Sequence, residues 1–372
     1  MKSAAPSQHH AIVRAIDLGF GYTKYTTRNP QHGANGVVTR QFPSITVPVT
    51  SEGAFIDLDP AYNLKMCETV RVVLEDRAFD VGPEAAQLLL GGTGRTHNQD
   101  YSRTPNYEAL MLGALFYIDE TVIDRLVLGL PVSRFLFSRD RLVERFQKDL
   151  YVPIRGRGPE ETRKVKVNDV VVVPQPIGGF MLARATDEFK QSLRGSTLVV
   201  DPGYVTFDWI VVSDSGTWVN TRSDALDGCM SRVHNDIARA VAKETRRNVD
   251  GTQEIDTALR HGQPFMHFGE AIDLTKYSHI ARGVVDLRIN EMIVRLGKEA
   301  DIVRVIVCGG GAAVFTPALK ERFPSCHFVV LNEPMTANVR GFQLLGENIP
   351  FATSKPTHAA AQGGQEATAR VA

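Results

Sequence analysis

The chain has 372 residues, 43% hydrophobic and 23% charged, which suits a globular protein large enough for two domain cores. Its 42 Lys and Arg offset 42 Asp and Glu, so no global field draws it to DNA or to a membrane. Four scattered cysteines without a CxxC pair exclude a thiolate metal framework and fit a reducing compartment. The opening MKSAAPSQHHAIVRAID lacks the apolar centre of a signal peptide, and no run approaches ~18 apolar residues. The expected location is therefore the cytoplasm, with no membrane contact. Residues 1–10, with His9 and His10, and 351–372 are unpatterned and expected to be disordered.

In chain order, AIVRAIDLG (11–19) and YTKYTTR (22–28) predict a hairpin around a glycine turn, and short strands follow at 37–41, 69–75 and 78–81. The spacing in NYEALMLGALFYID (106–119) predicts a helix, RLVLGLP (125–131) a buried strand, and SRDRLVERFQKDL (138–150) an amphipathic helix capped by Ser138. VKVNDVVVVPQP (165–176) reads as a strand and IGGFMLARATDEFK (177–190) as a helix. The programme restarts at 195: a hairpin over 197–212, a helix over 228–246, strand, glycine turn and helix over 303–323, a strand in HFVVLNEP, and a closing helix over 336–346. The order implies an α/β protein whose halves open alike.

The two openings, AIDLGFGYTKYT (15–26) and VVDPGYVTFDWI (199–210), share an apolar strand, Asp, one residue, Gly and a return strand. Asp-x-Gly alone is mostly turn chemistry. Repeated and brought face to face, two such turns would offer backbone N–H groups to a phosphate chain, with Asp17 and Asp201 holding a divalent cation or its waters. VIVCGGGAAVF (305–315) adds Gly309, Gly310 and Gly311 between strand and helix, where either tight packing or ligand approach needs glycine. It is neither a dinucleotide fingerprint nor a GxxxxGK loop.

Together, these three motifs resemble the phosphate-1, phosphate-2 and adenosine motifs of the actin/Hsp70/sugar-kinase ATPase superfamily, over residues ~11–347. IDLGFGYTKY and TANVRGFQLLG are most similar to the plasmid-segregation actin-like proteins of the ParM/StbA type, among them the PRTRC-system protein D group. The resemblance implies ribonuclease H-like duplicated domains with mixed five-stranded sheets flanked by helices. Domain I would span 11–185, with a small subdomain around 35–100, and domain II 186–335; the helix in 336–350 would return to domain I.

The resemblance also implies roles. Asp17 sits by Mg2+, Lys24 reaches the phosphates, and Gly19, Gly21, Tyr22 and Thr23 form the first turn around them. Gln175, in VVVPQPIGGF, orients the attacking water but cannot deprotonate it, so Asp201 accepts that water's hydrogen bond. Gly203, Tyr204, Val205 and Thr206 cradle β- and γ-phosphates. Gly228 lies by the ribose and phosphates, Arg232 or Asp227 by the sugar, and Gly309 to Gly311 with Ala312 pass under the adenine or the α-phosphate. Pro202 and Tyr204 depart from the small residues of relatives, and Pro202 has no N–H to give.

The implied function is an ATPase that takes ATP, or GTP, with Mg2+, polymerises head to tail, and segregates plasmid DNA through a DNA-binding adaptor. Two alternatives stand beside it: a non-polymerising nucleotide switch or scaffold, and a sugar or acetate kinase, for which no catalytic base is evident. Four other signals read as structure. LLLGGTGRTHNQDYSR (88–103) is a surface loop that could rim a filament contact or a ligand, RAVAKETRR (239–247) a solvated helix face, RGRGPEETRKVK (155–166) a charged loop, and His261 with His267 surface histidines.

Overall fold

The structure, a computed structural model, describes residues 11–29, 36–49, 66–89, 94, 95, 98, 100–190, 193–249 and 252–351. The expected disordered ends lie outside the described residues except Phe351, whose ring lies under the Arg125 guanidinium. The first lobe runs β1 (Val13–Leu18), β2 (Tyr22–Arg28), β3 (Val37–Pro43), β4 (Val47–Pro48), β5 (Val70–Leu74), β6 (Arg77–Val81), α1 (Pro105–Ile118), β7 (Val122–Ile123), β8 (Arg125–Leu130), α2 (Val132–Phe146), β9 (Asp149–Pro153), β10 (Thr162–Val167), β11 (Val170–Pro174) and α3 (Gln175–Arg184). The second runs β12 (Ser196–Pro202), β13 (Thr206–Val212), β14 (Asp224–Asp227), α4 (Met230–Thr245), α5 (Gln253–His261), β15 (Phe265–His267), β16 (Glu270–Ile272), α6 (Ser278–Leu296), β17 (Ile302–Val307), α7 (Ala312–Arg322) and β18 (His327–Val330). α8 (Ala337–Asn348) closes the chain.

Each lobe is built on a five-stranded sheet, ordered β3-β2-β1-β8-β11 in one and β14-β13-β12-β17-β18 in the other. In both, an antiparallel three-strand meander continues into parallel strands across β1–β8 or β12–β17. The same topology twice is a duplicated domain. Parallel strands need both faces covered, and β1, β8 and β12 are accordingly buried along their whole length, as is antiparallel β13. β12 can therefore carry Asp201 only where the strand leaves the core.

α8 crosses back to the first lobe, where Val339 and Phe342 pack on Ala15 and Val127. Gln343 fixes it there, its Nε2 donating to Val13 O at 3.0 Å and its Oε1 accepting from Thr26 Oγ1 at 2.7 Å. α8 also packs closely on α3: a Cβ on Gly341 would lie 1.8 Å from the carbonyl oxygen of Gly178.

Several elements differ from expectation. α2 begins at Val132 rather than 138, directly after Pro131, and Ser138 lies inside it and caps nothing. Residues 149 and 150 leave the helix for β9. The single strand read in VKVNDVVVVPQP is two, β10 and β11, in different sheets. β10 also claims the end of RGRGPEETRKVK, read as a loop.

Candidate functional site

The first hairpin turns where β1 leaves the core, and its register sets Asp17 opposite Lys24. Lys24 Nζ lies 3.0 Å from Asp17 Oδ2, and Gln175 Nε2 donates to Oδ1 at 2.7 Å. Gln175 is the first residue of α3, following Pro174 at the end of β11. Its buried amide therefore reaches across the one intervening strand, β8, to the carboxylate.

In the second hairpin, Asp201 is opposite Asp208. Asn338, on the first turn of α8, donates from Nδ2 to Asp201 Oδ2 at 2.6 Å, while its Oδ1 accepts the Gly179 N–H at 3.1 Å. One amide thus joins α8, α3 and β12. Gly309 explains its own identity: φ is +81° and a Cβ would stand 2.0 Å from Asp201 Oδ1. Burial and the charge of Asp17 push the Asp201 carboxyl up to about 6, against the pull of Lys24 and the Asn338 bond.

Asp208 is pushed further, to about 8, by burial and by Asp201. Its Oδ1 accepts the N–H of Val132 at 2.7 Å. Pro131 offers α2 no side-chain cap, so a carboxyl from the opposite lobe takes the helix's first donor.

Asp17 and Asp201 line one crevice between the lobes. Of the residues read from the sequence, Gly19, Gly21, Tyr22, Lys24, Gln175, Gly203, Tyr204, Thr206, Gly309 and Gly310 line it too. Others lie outside the lining. Thr23 turns to Ser44, hydroxyl to hydroxyl at 3.0 Å. The Val205 carbonyl accepts from Gly228 N and Cys229 N. Gly311 donates to Pro202 O at 2.8 Å, and buried Ala312 begins α7. Asp227 is exposed in β14, Gly228 makes a positive-φ turn, and half-exposed Arg232 faces Asp236 at 3.7 Å. The Gly203 N–H is spent inside the turn, donating to Thr206 O at 2.9 Å. With Pro202, that removes two backbone donors from the second hairpin.

Sequence reasoning missed Asn338, Arg134, Arg260 and Met335, which also line the crevice. None sits in a glycine turn, the signal that found the others. It also missed a band of contacts joining the lobes at the rim. The Tyr204 ring packs against Gly21, where a Cβ would fall 2.9 Å from Tyr204 Cβ. Arg95 stands 4.7 Å above that ring and donates to Gly21 O at 3.2 Å and to Gln253. Gln253 donates to the Tyr22 hydroxyl at 2.5 Å, and Arg260 lies over the Tyr22 ring while pairing with Asp256 at 2.9 Å. Behind them His234 is fully buried 3.5 Å from Asp256, its pKa lowered to about 4 by burial.

Duplicated lobes that each send an acidic hairpin into a shared crevice make this the actin-like two-domain fold. The family model for the N-terminal domain of actin-like proteins matches residues 15–178, and that for the C-terminal domain of archaeal MreB-like actin homologues matches 199–321. The chain belongs to the actin-like proteins. Its fold is similar to that of Ta0583, an archaeal actin homolog solved in complex with ADP, at 20% identity over 91% of this chain and 100% of that one, TM-score 0.72. A 15-stranded ParM filament from Clostridium botulinum matches at 19% identity over 91% and 99%, TM-score 0.70. A non-polymerisable quadruple mutant of pCBH ParM matches at 20% over 91% and 100%, TM-score 0.70. No curated protein matches the chain in sequence. Among the described residues, no helix is long and apolar enough to cross a membrane.

Proposed function

We propose that the chain is an ATPase that binds ATP with Mg2+ in the crevice, polymerises head to tail and hydrolyses the nucleotide, separating plasmid DNA through a DNA-binding adaptor. The observation that carries the reading is the convergence of Asp17 and Asp201, from matching hairpins, on one crevice. The ADP complex of the archaeal homolog and the ParM filament support nucleotide binding and assembly as properties to test in this chain.

The donors suit Mg2+: two buried carboxylates supply hard oxygens, and no group of three or more acidic, His or Cys side chains forms a closed cage among the described residues. Asp17 and Asp201 would hold the ion, with phosphate oxygens and water completing its shell; once bound it would neutralise phosphate charge. Lys24 would share its ammonium between Asp17 and the phosphates. Gln175, with one amide hydrogen on Asp17, keeps its carbonyl for a water in line with the outer phosphate. Asp201, ionised above about pH 6, would accept that water's other hydrogen bond.

Light scattering on adding Mg2+ with ATP or GTP, followed by electron microscopy, tests assembly: growing scatter and filaments are expected. Absence of polymers over a wide concentration range would leave the non-polymerising switch, a reading favoured by the two donors missing at Pro202 and Gly203. Gln175→Ala should slow phosphate release by about 10- to 100-fold while sparing ATP binding. An unchanged rate refutes its role.

A further inference from the structure

We infer that Arg134 is a phosphate-binding residue, closing on the outermost phosphate of a bound nucleoside triphosphate from the wall of the first lobe. The inference rests on the nucleotide reading above and adds a residue that no glycine motif announces.

Three cations line the crevice, and two are committed. Lys24 pairs with Asp17 at 3.0 Å and Arg260 with Asp256 at 2.9 Å. Arg134, half-buried on the first turn of α2, makes no ion pair among the described residues. A guanidinium partly withdrawn from water without a carboxylate is costly unless an anion visits it.

Its neighbours fix which end of the crevice it serves. β8 ends at Leu130, whose strand partner is Pro174, so Pro131 and Gln175 emerge side by side. Val132 is held by Asp208, the strand partner of Asp201. Arg134 therefore shares the end occupied by Gln175 and Asp201, where the attacking water is proposed. Arg260 is held over the Tyr22 ring and beside Met335 and Gly310. The second hairpin has lost two N–H donors at Pro202 and Gly203. A guanidinium fork, matching two phosphate oxygens at once, replaces two donors with one side chain.

The test compares wild type with Arg134→Ala, Arg134→Lys and, as a charge control, Arg139→Ala, an exposed position on the same helix paired with Asp140. Calorimetric titration with the Mg2+ salts of ATP and ADP is combined with single-turnover phosphate release and thermal melts. Arg134→Ala is expected to weaken ATP or slow phosphate release by about 10- to 100-fold, with ADP affinity within about threefold of wild type. Arg134→Lys, which keeps the charge and tests the site even if the alanine variant does not fold, should recover only part of the loss, and Arg139→Ala should match wild type. Equal losses for ATP and ADP, or full activity in both Arg134 variants, overturn the inference. Wild-type protein that binds neither nucleotide removes the nucleotide reading, and this inference with it.

Discussion

Asp208 and Asp201 are strand partners a few ångströms from one another, and burial lets only one hold a negative charge near neutrality. Asp208, pushed up to about 8, keeps its proton while Asp201, at about 6, ionises. Because the folded state holds the Asp208 proton more tightly than the unfolded chain, stability falls as pH rises from about 4 through 8, by up to ~1.4 kcal/mol per pH unit. Asp208→Asn keeps an acceptor for the Val132 N–H and removes that loss. Denaturant melts from pH 5 to 9 should show the variant gaining on wild type as pH rises; a constant gap excludes the mechanism. Gly309→Ala combines a positive φ with a Cβ 2.0 Å from the Asp201 carboxylate, and should cost roughly 2–4 kcal/mol in the same assay. Asp17, Asp201 and Gly309 were legible because turns enforce their residue types, whereas Lys24, within β2, was reached only through the family resemblance. Asn338 was not: an amide on a helix's first turn becomes informative only once that helix lies against β12.

Among the elements, the crossing of α3 and α8 tolerates no side chain at Gly178 or Gly341. Gly341→Ala, an ordinary stabilising change in an isolated helix, should instead destabilise by roughly 2–4 kcal/mol in urea melts, and an effect below about 0.5 kcal/mol would mean the helices can separate at little cost. Both hairpins and the strand-GGG-helix unit were readable because turn residues punctuate them. α2 was misplaced because its start carries no capping side chain: Pro131, which ends a strand, is its N-cap, while Ser138 lies inside it. α6 went unread for another reason: Val285, Ile289, Met292 and Leu296 face the core, but exposed Leu287 and Val294 hide the spacing.

For the whole molecule, the rim contacts of Tyr22, Arg95, Tyr204 and Gln253 tie the lobes together. Gln253→Ala removes bonds to both Tyr22 and Arg95 and should let the lobes part, seen as a larger radius of gyration in solution scattering. No change would assign the tie to Tyr204 and Gly21 alone. The duplication was legible in the sequence as two Asp-x-Gly openings, yet this tie was not, since Tyr22 and Gln253 are 231 residues apart and match no motif.

Gln175 and Asn338 stand one helical turn ahead of Gly178 and Gly341, so the amides gripping the two carboxylates ride on the very helices that touch at those glycines. A pivot and its jaws are then a single part. Were the lobes to swing about that crossing, the gap between Asp17 and Asp201 would follow directly, and a phosphate chain bound as proposed would be gauged as callipers gauge a rod, with no relay through the body of either lobe.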